Sequence, residues 1–344
     1  MNTFGRNFRV QVFGESHGEA IGVVIDGVKA GMPLCKEDFM EDIFRRKSGA
    51  KGTTPRIESD EPEFLSGVFE GHTTGAPLAI IFRNNNTRSS DYEALREVPR
   101  PGHADFTASV KWNGFNDPRG GGHFSGRLTL PLVAAGVIAK KQCRASLSEQ
   151  FGSNDISFQA SLKEIGGETD PSKWDALLEE TSREGDSLGG IVECRIDNVP
   201  AGLGNPFFDS VEALLSHAVF SIPGVRGIEF GDGFSAARMK GSEHNDPLML
   251  HTERPGLAPS GVQSAKNGAG GINGGITNGA PIVFRVAFKP TSSIAKTQKT
   301  LNIKTGETVS LNVPGRHDVC FALRTPVIVE AVAAIVLADL AYNI

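Results

Sequence analysis

The chain has 344 residues, with 35 basic and 40 acidic side chains and a formal net charge of −5. That balance argues against a general nucleic-acid or membrane-surface binder, so any anion site must be a local basic cluster. Hydrophobic residues make up 39% of the chain, enough for a substantial core, and glycine is the outlier at 41 residues, well above the usual share of about 7%. In chain order, residues 8–13 and 21–28 read as strands on either side of a Gly14–Gly18 loop. Residues 36–47 read as a helix, with Phe39, Met40, Ile43 and Phe44 at helical spacing. Its Arg45, Arg46 and Lys47 complement the negative end of the helix dipole. Residues 64–69 and 77–82 are strand candidates joined by a turn, and 84–100 is polar and irregular. Residues 105–112 form a short helix, followed by a glycine-rich loop over 119–127. Residues 128–142 read as a buried helix ending in Lys140 and Lys141. The stretch 146–187 is polar and indistinct apart from a surface helix over 174–183. Then come a strand (188–199), an amphipathic helix (207–220) and a strand (225–230). Residues 231–279 carry almost no period, and a loop that long is expected to be functional or disordered. A strand (280–288), a hairpin (299–313) and a buried helix (324–342) close the chain.

Strands and helices mix without strict alternation, which favours α+β over a doubly wound fold. With no linker, repeat or low-complexity run, the expectation is a single domain over 1–344 with long functional loops. The four cysteines form no Cys-x-x-Cys pair and no metal-ligand spacing appears, so no metal is expected. The apolar run 327–338 is broken by Glu330 and too short for a bilayer, and no apolar signal opens the chain. A reduced, cytoplasmic protein without nucleic-acid or membrane partners is expected.

Five of the eight histidines stand within two residues of a glycine, in loops where backbone can approach a ligand. Ser16 and His17 lie in Gly14-Glu-Ser-His-Gly18, which is either a polar turn or a hydroxyl and imidazole facing a ligand. It lacks the spacing of a nucleophile elbow. In Arg100-Pro-Gly-His-Ala-Asp105, Pro99 and Pro101 stiffen a loop bearing Arg100, His103 and Asp105; Asp105 could equally be a helix cap. Arg119-Gly-Gly-Gly-His-Phe-Ser-Gly-Arg127 precedes a helix, a setting suited to anions, although the ending of a Walker loop is absent. Arg45, Arg46, Lys47 and Lys51 are either a solvated helix end or cations facing an anion. Lys289-Pro-Thr-Ser-Ser293 at a strand end would hold a phosphate or make a turn. Arg316-His-Asp318 is a third polar cluster, and an Asp beside Arg would stay ionised. Imidazoles suited to proton transfer, beside guanidiniums suited to anions, point to chemistry on a small, multiply anionic substrate.

These motifs, in this order, resemble the chorismate synthase family over nearly the whole chain. Further landmarks are Ser66-Gly-Val-Phe69, Thr73-Thr-Gly75, Gly231-Asp-Gly-Phe234, Gly241-Ser242 with Asn245-Asp246, and Ala269-Gly-Gly-Ile272 with Gly274-Gly275. The resemblance implies a β-α-β sandwich, a homotetramer, and conversion of 5-enolpyruvylshikimate 3-phosphate to chorismate. That reaction is a net 1,4-anti elimination of phosphate, the last common step of the shikimate pathway. It needs reduced FMN although no redox state changes overall. By motif position, Arg46, Lys51, Arg100, Arg127 and Arg316 would bind substrate. His17 would protonate the departing phosphate, and His103 would sit by the flavin N1–C2 edge. Asp318, with Ser16 and Ser125 as relay hydroxyls, would manage the proton at flavin N5. His123, Phe124, Ser125, Gly224, Gly274, Lys289, Pro290, Thr291, Ser292, Ser293 and Arg316 would hold FMN, and the 231–279 region would cover part of the site. No nicotinamide module is recognisable, so NADPH is expected to act only through a separate flavin reductase. The chain departs from the family in His123 and Leu128 where Arg and Glu are usual, in Lys51 for Arg, and in Val319 for Pro. Those departures leave two rival readings: a non-catalytic flavin- or anion-binding homologue, and an enzyme that reduces its own flavin with NADPH.

Overall fold

The computed structural model describes residues 2–54, 58–85, 95–151, 155–250, 262–313 and 317–341. Its centre is a pair of helices, Thr129–Phe151 and Pro326–Leu340, packed along each other. The second is buried from Val327 through Asp339, as an all-round apolar helix requires. The pair approaches closely at Gly136, where a Cβ would stand 2.3 Å from the Ala331 Cβ. Any side chain there would force the helices apart.

An antiparallel sheet covers each side of this layer. The first has five strands in the spatial order Thr3–Phe4, Arg9–Gly14, Ala20–Asp26, Leu78–Arg83, Glu63–Ser66, and it packs on Thr129–Phe151. The second runs Val225–Phe230, Ile282–Phe288, Gly190–Asp197, Ser157–Ile165, and it packs mainly on Pro326–Leu340. Ile282–Phe288 alternates strictly between buried and half-buried positions, so one face of the sheet seals the helices. The layers are thus sheet, helices, sheet: an α+β fold of the β-α-β sandwich type.

Two buried carboxylates on Pro326–Leu340 tie the layers together. Asp339 Oδ1 accepts the backbone N–H groups of Arg6, Asn7 and Phe8 at 2.8, 2.6 and 2.9 Å, fixing the entry to the Arg9–Gly14 strand. Glu330 accepts both terminal nitrogens of Arg45 (2.8 and 2.6 Å), Lys140 Nζ (3.2 Å) and the Ala160 N–H (2.8 Å). Glu330 therefore links the Glu37–Arg46 helix, both central helices and the second sheet.

Several expected boundaries move. The central helix continues past residue 142 because Lys140 and Lys141 do not end it; they pair sideways with Asp42 and Asp38. The indistinct 146–187 stretch contains the strand Ser157–Ile165, whose exposed face is polar. The 64–69 strand bends at Gly67, and Val68–Phe69 turns away to pair with His72–Thr73. Ser210 divides the 207–220 helix: its Oγ accepts the Ala213 N–H at 3.1 Å and caps Val211–Val219. The described residues of 231–279 hold only short elements, among them the strand pairs Leu248–Leu250 with Val262–Ser264 and Ile272–Asn273 with Ile276–Thr277. Among the described residues, no helix is long and apolar enough to cross a membrane.

Candidate active site

A cavity of about 1100 Å³ opens beside the helix layer. Phe4, Val10 and Val12 from the first sheet, with Leu132, Val332 and Ile335 from the central helices, form its apolar wall. Its polar wall gathers segments far apart in sequence: Ser16, Arg46, Arg100, His103, Arg127, residues 289–293 and Asp318. The volume exceeds that of a usual single-ligand pocket, about 300–1,000 Å³.

The glycine run passes between two imidazoles. Gly120, Gly121 and Gly122 all have positive φ (61°, 83° and 53°), a region that suits glycine. A Cβ on Gly120 would stand 2.7 Å from the His17 ring and 2.9 Å from Ser16 Oγ. One on Gly121 would stand 3.3 Å from His103 Nε2. The Gly122 carbonyl accepts the Ser16 N–H at 3.1 Å, which pins the Ser16-His17 loop to this turn. The glycines do not open the long helix, as expected from sequence. Ser125 caps a separate short turn, Gly126–Leu128, before that helix begins.

Arg100 and His103 share one carboxylate. Arg100 Nε donates to Asp105 Oδ2 (2.7 Å) and Nη2 to Oδ1 (2.7 Å), while Nη1 donates to Ser293 Oγ (2.9 Å). His103 Nδ1 lies 2.6 Å from Asp105 Oδ1. Burial works against ionisation of Asp105, but hydrogen bonds from Arg100 and His103 outweigh it and hold the carboxyl well below the usual range.

Arg46 and Arg127 share another. Arg46 Nη2 lies 3.2 Å from Asp60 Oδ2, and Arg127 Nη1 bonds Oδ1 of the same carboxylate. All three are buried, at 4%, 8% and 3% exposure for Arg46, Arg127 and Asp60. Arg46 also reaches Thr129 Oγ1 (3.3 Å), and Arg127 Nε reaches Asn84 Oδ1 (3.0 Å). Burial pushes the Arg46 guanidinium down to about 10 against the pull of Asp60, so it stays charged at neutral pH. Asp60 is held below its ordinary value because Arg46 and Arg127 outweigh its own desolvation. Nearby, Asp318 accepts the Thr54 N–H (2.9 Å) and Arg324 Nη2 (2.8 Å).

On the opposite flank, Lys289 Nζ donates to Ser292 Oγ, and Ser292 Oγ donates to the Gly102 carbonyl at 2.8 Å. Gly224 accepts the Lys289 N–H at 2.8 Å. Burial, with Arg226 close by, lowers the Lys289 ammonium.

Of the residues expected at a site, Ser16, Arg46, Arg100, His103, His123, Phe124, Ser125, Arg127, Gly224, residues 289–293 and Asp318 all line this cavity. His17 is 7% exposed and sits against Gly120. Lys51 does not come to the cavity: its ammonium is drawn away to Glu179 (2.6 Å) and Asp175 (3.2 Å). Gly274 is elsewhere too, in the tight turn of the Ile272–Thr277 hairpin. No described residue of 231–279 lines the cavity, so the expected cover does not come from this chain's described part. Arg316 lies outside the described residues. His123 lies against the chain's first strands: its Nδ1 is 2.8 Å from the Gly14 carbonyl and its Nε2 is 3.2 Å from the Asn2 side-chain amide. Sequence reasoning missed Asp60, Arg226 and Arg324; Asp60 pairs with residues 14 and 67 positions away, and no local motif advertises it.

Ser16 Oγ, Thr291 Oγ1, Arg46 Nε and Arg324 Nε are buried, belong to cavity-lining residues and have no hydrogen-bond partner among the described residues. Unsatisfied buried polar atoms are costly. Together with the volume, they fit a polar ligand as large as a flavin beside a small anion.

The chorismate synthase family model matches residues 8–342. A chorismate synthase of Chitinophaga pinensis is 61% identical over 339 residues, covering 98% of this chain and 96% of its own. One of Dehalococcoides mccartyi is 45% identical, covering 99% and 96%. A crystal structure of chorismate synthase superposes with a TM-score of 0.71 at 27% identity, over 98% of this chain and 92% of that one. The chain belongs to the chorismate synthase family.

Proposed function

We propose that the chain, acting as one catalytic domain, eliminates phosphate from 5-enolpyruvylshikimate 3-phosphate to give chorismate, using reduced FMN with no net redox change. What supports this most is the convergence of His103, three buried arginines and Asp318 on one cavity, with His17 packed behind its Gly120 wall.

The substrate carries two carboxylates and a phosphate. Arg46 and Arg127 with Asp60 carry one net positive charge, and their geometry is fixed before anything binds, which lowers the ordering cost of binding. Arg100, clamped by Asp105 and Ser293, presents a third preset guanidinium, and Arg316 would add a fourth. His17, behind Gly120 and next to Ser16, would give a proton to the leaving phosphate; neutralising a leaving group in this way contributes about 10²–10⁴-fold. Asp318, held by Thr54 and Arg324, would manage the ring-side proton with Ser16 and Ser125 as relay hydroxyls. Lys289 to Ser293, Gly224, Ser125 and Phe124 would hold the flavin, which when bound supplies transient electron density and takes it back. His103 would stand at its edge. The apolar wall would exclude water from the reacting groups.

The working form would be a cytoplasmic homotetramer supplied with reduced flavin by a separate reductase. The test is anaerobic incubation of the protein with photoreduced FMN and 5-enolpyruvylshikimate 3-phosphate. Chorismate and phosphate in equal amounts are expected; flavin binding without product would leave a non-catalytic homologue instead. NADPH oxidation with FMN and no added reductase should be absent, and its presence would make the enzyme self-reducing.

A further inference from the structure

We propose that Asp105 is a positioning residue that fixes the tautomer of His103, so that only Nε2 exchanges protons with the cavity. Two groups meet at Asp105 Oδ1. Arg100 Nη2 and His103 Nδ1 lie 2.7 and 2.6 Å from it, and 3.1 Å from each other. Arg100 can only donate. Its Nη2 carries two N–H bonds about 120° apart, but Asp105 Oδ1 and His103 Nδ1 are only 2.6 Å from each other, so one and the same N–H faces both, and the shorter contact is to the carboxylate. If Nδ1 were the unprotonated nitrogen, its lone pair would face a carboxylate oxygen at 2.6 Å with no proton between them, next to a guanidinium already used. The arrangement is consistent only with Nδ1–H donating to Asp105. Nδ1 is therefore committed in both the neutral and the cationic ring. Nε2 is the nitrogen beside Gly121, where even a Cβ would come within 3.3 Å of it.

The other carboxylate oxygen explains why an amide cannot replace the acid. Oδ2 accepts the Arg100 backbone N–H (3.1 Å) and Nε (2.7 Å). In Asp105→Asn the single amide oxygen must face those two donors. Its NH₂ is then left pointing at His103 Nδ1, which has to become the acceptor. The proton moves to Nε2 and the tautomer inverts. A buried aspartate replaced by asparagine in a serine protease has this consequence, with the geometry intact and turnover lost.

The assignment itself does not depend on the proposed reaction, whereas its kinetic consequence does, and the experiment separates the two. ¹⁵N-histidine-labelled protein without ligand is observed by NMR across a pH series, and the His103 signals are assigned by their loss in His103→Gln. In the wild type, Nδ1 should remain protonated after the ring becomes neutral; an unprotonated Nδ1 overturns the proposal. In Asp105→Asn, the proton should appear on Nε2; an unchanged tautomer overturns it. If that variant does not fold, the wild-type spectrum alone decides. In the anaerobic assay, Asp105→Asn should lower kcat about 10²-fold or more with a smaller change in KM, because Arg100 keeps the oxygen partner of its backbone N–H and Nε and the Nη1 bond to Ser293, losing only the Nη2 bond to Oδ1. An unchanged kcat beside an inverted tautomer would end the positioning role. Absence of turnover in the wild type would count against the proposed reaction and leave the tautomer result standing.

Discussion

Asp60 and Asp105 are buried or nearly buried carboxylates at one cavity, each gripping an arginine expected to bind substrate, yet their second partners differ in kind. Asp60 holds a second guanidinium, Arg127, whereas Asp105 holds the imidazole of His103. Guanidiniums do not give up protons near neutrality, so the Asp60 side is a fixed charge for anchoring anions. The Asp105 side joins an arginine to an imidazole, a side chain suited to proton transfer. The same device, one carboxylate shared by two side chains, thus fixes a pair of guanidiniums in one place and a guanidinium beside an imidazole in the other. The glycine turn at Gly120 and Gly121 brings a second imidazole, that of His17, against the same region.

The sharpest way to break this division is His17→Ala. It should lower kcat about 10²–10⁴-fold while flavin affinity, read by fluorescence quenching, stays near the wild-type value; unchanged turnover would remove its proton role. Asp60→Asn should act on the other side as a loss of stability. It leaves two buried guanidiniums with one neutral partner, and breaking a buried pair costs about 3–5 kcal/mol, measurable by urea unfolding. Its pH signature is also defined. Because the folded state lowers the Asp60 pKa, its stabilising contribution is fully present above the ordinary carboxylate value, about 4, and is lost as pH falls further. Asp105 behaves likewise. Asp60→Asn and Asp105→Asn should each flatten the acid limb of the stability curve, and a limb as steep as the wild type's would contradict the charge assignments. Gly120→Ala should cost about 1–3 kcal/mol for the positive φ alone, and it should lower kcat by pushing His17 aside; a variant with wild-type kcat would show that the turn does not position that ring. The smallest effect is expected for Lys51→Ala. Its ammonium serves Glu179 and Asp175 at the surface, so KM should change less than about twofold, as for an exposed pair. A large rise in KM would return Lys51 to the substrate site.

Much of this was legible in the sequence, for a local reason. Ser16-His17, Arg100 to Asp105 and Lys289 to Ser293 each concentrate their chemistry in a few consecutive residues, and the structure keeps each cluster at the cavity. What stayed hidden depends on distance along the chain. Asp60 earns its role only when Arg46 and Arg127 fold onto it. Glu330 looked like an interruption of an apolar helix but ties its helix to three other elements through Arg45, Lys140 and Ala160. Lys140 looked like the end of a helix for the same reason: its partners, Asp42 and Glu330, lie on other elements. The strand Ser157–Ile165 was overlooked because Gln159 and Ser161 face outward, and their polarity masked the alternation of Phe158, Ala160 and Leu162. The Gly120–Gly122 run suggested an anion cradle, and its packing against His17 and His103 could not be read from the sequence, because those rings stand far away along the chain.

The most direct measurement is single-turnover chemistry under strict anaerobiosis, with photoreduced FMN, 5-enolpyruvylshikimate 3-phosphate and the purified protein. The account predicts one chorismate and one phosphate per substrate consumed, with the flavin still reduced at the end. Saturating reduced flavin with no chorismate formed, or flavin oxidised in step with product, would contradict it.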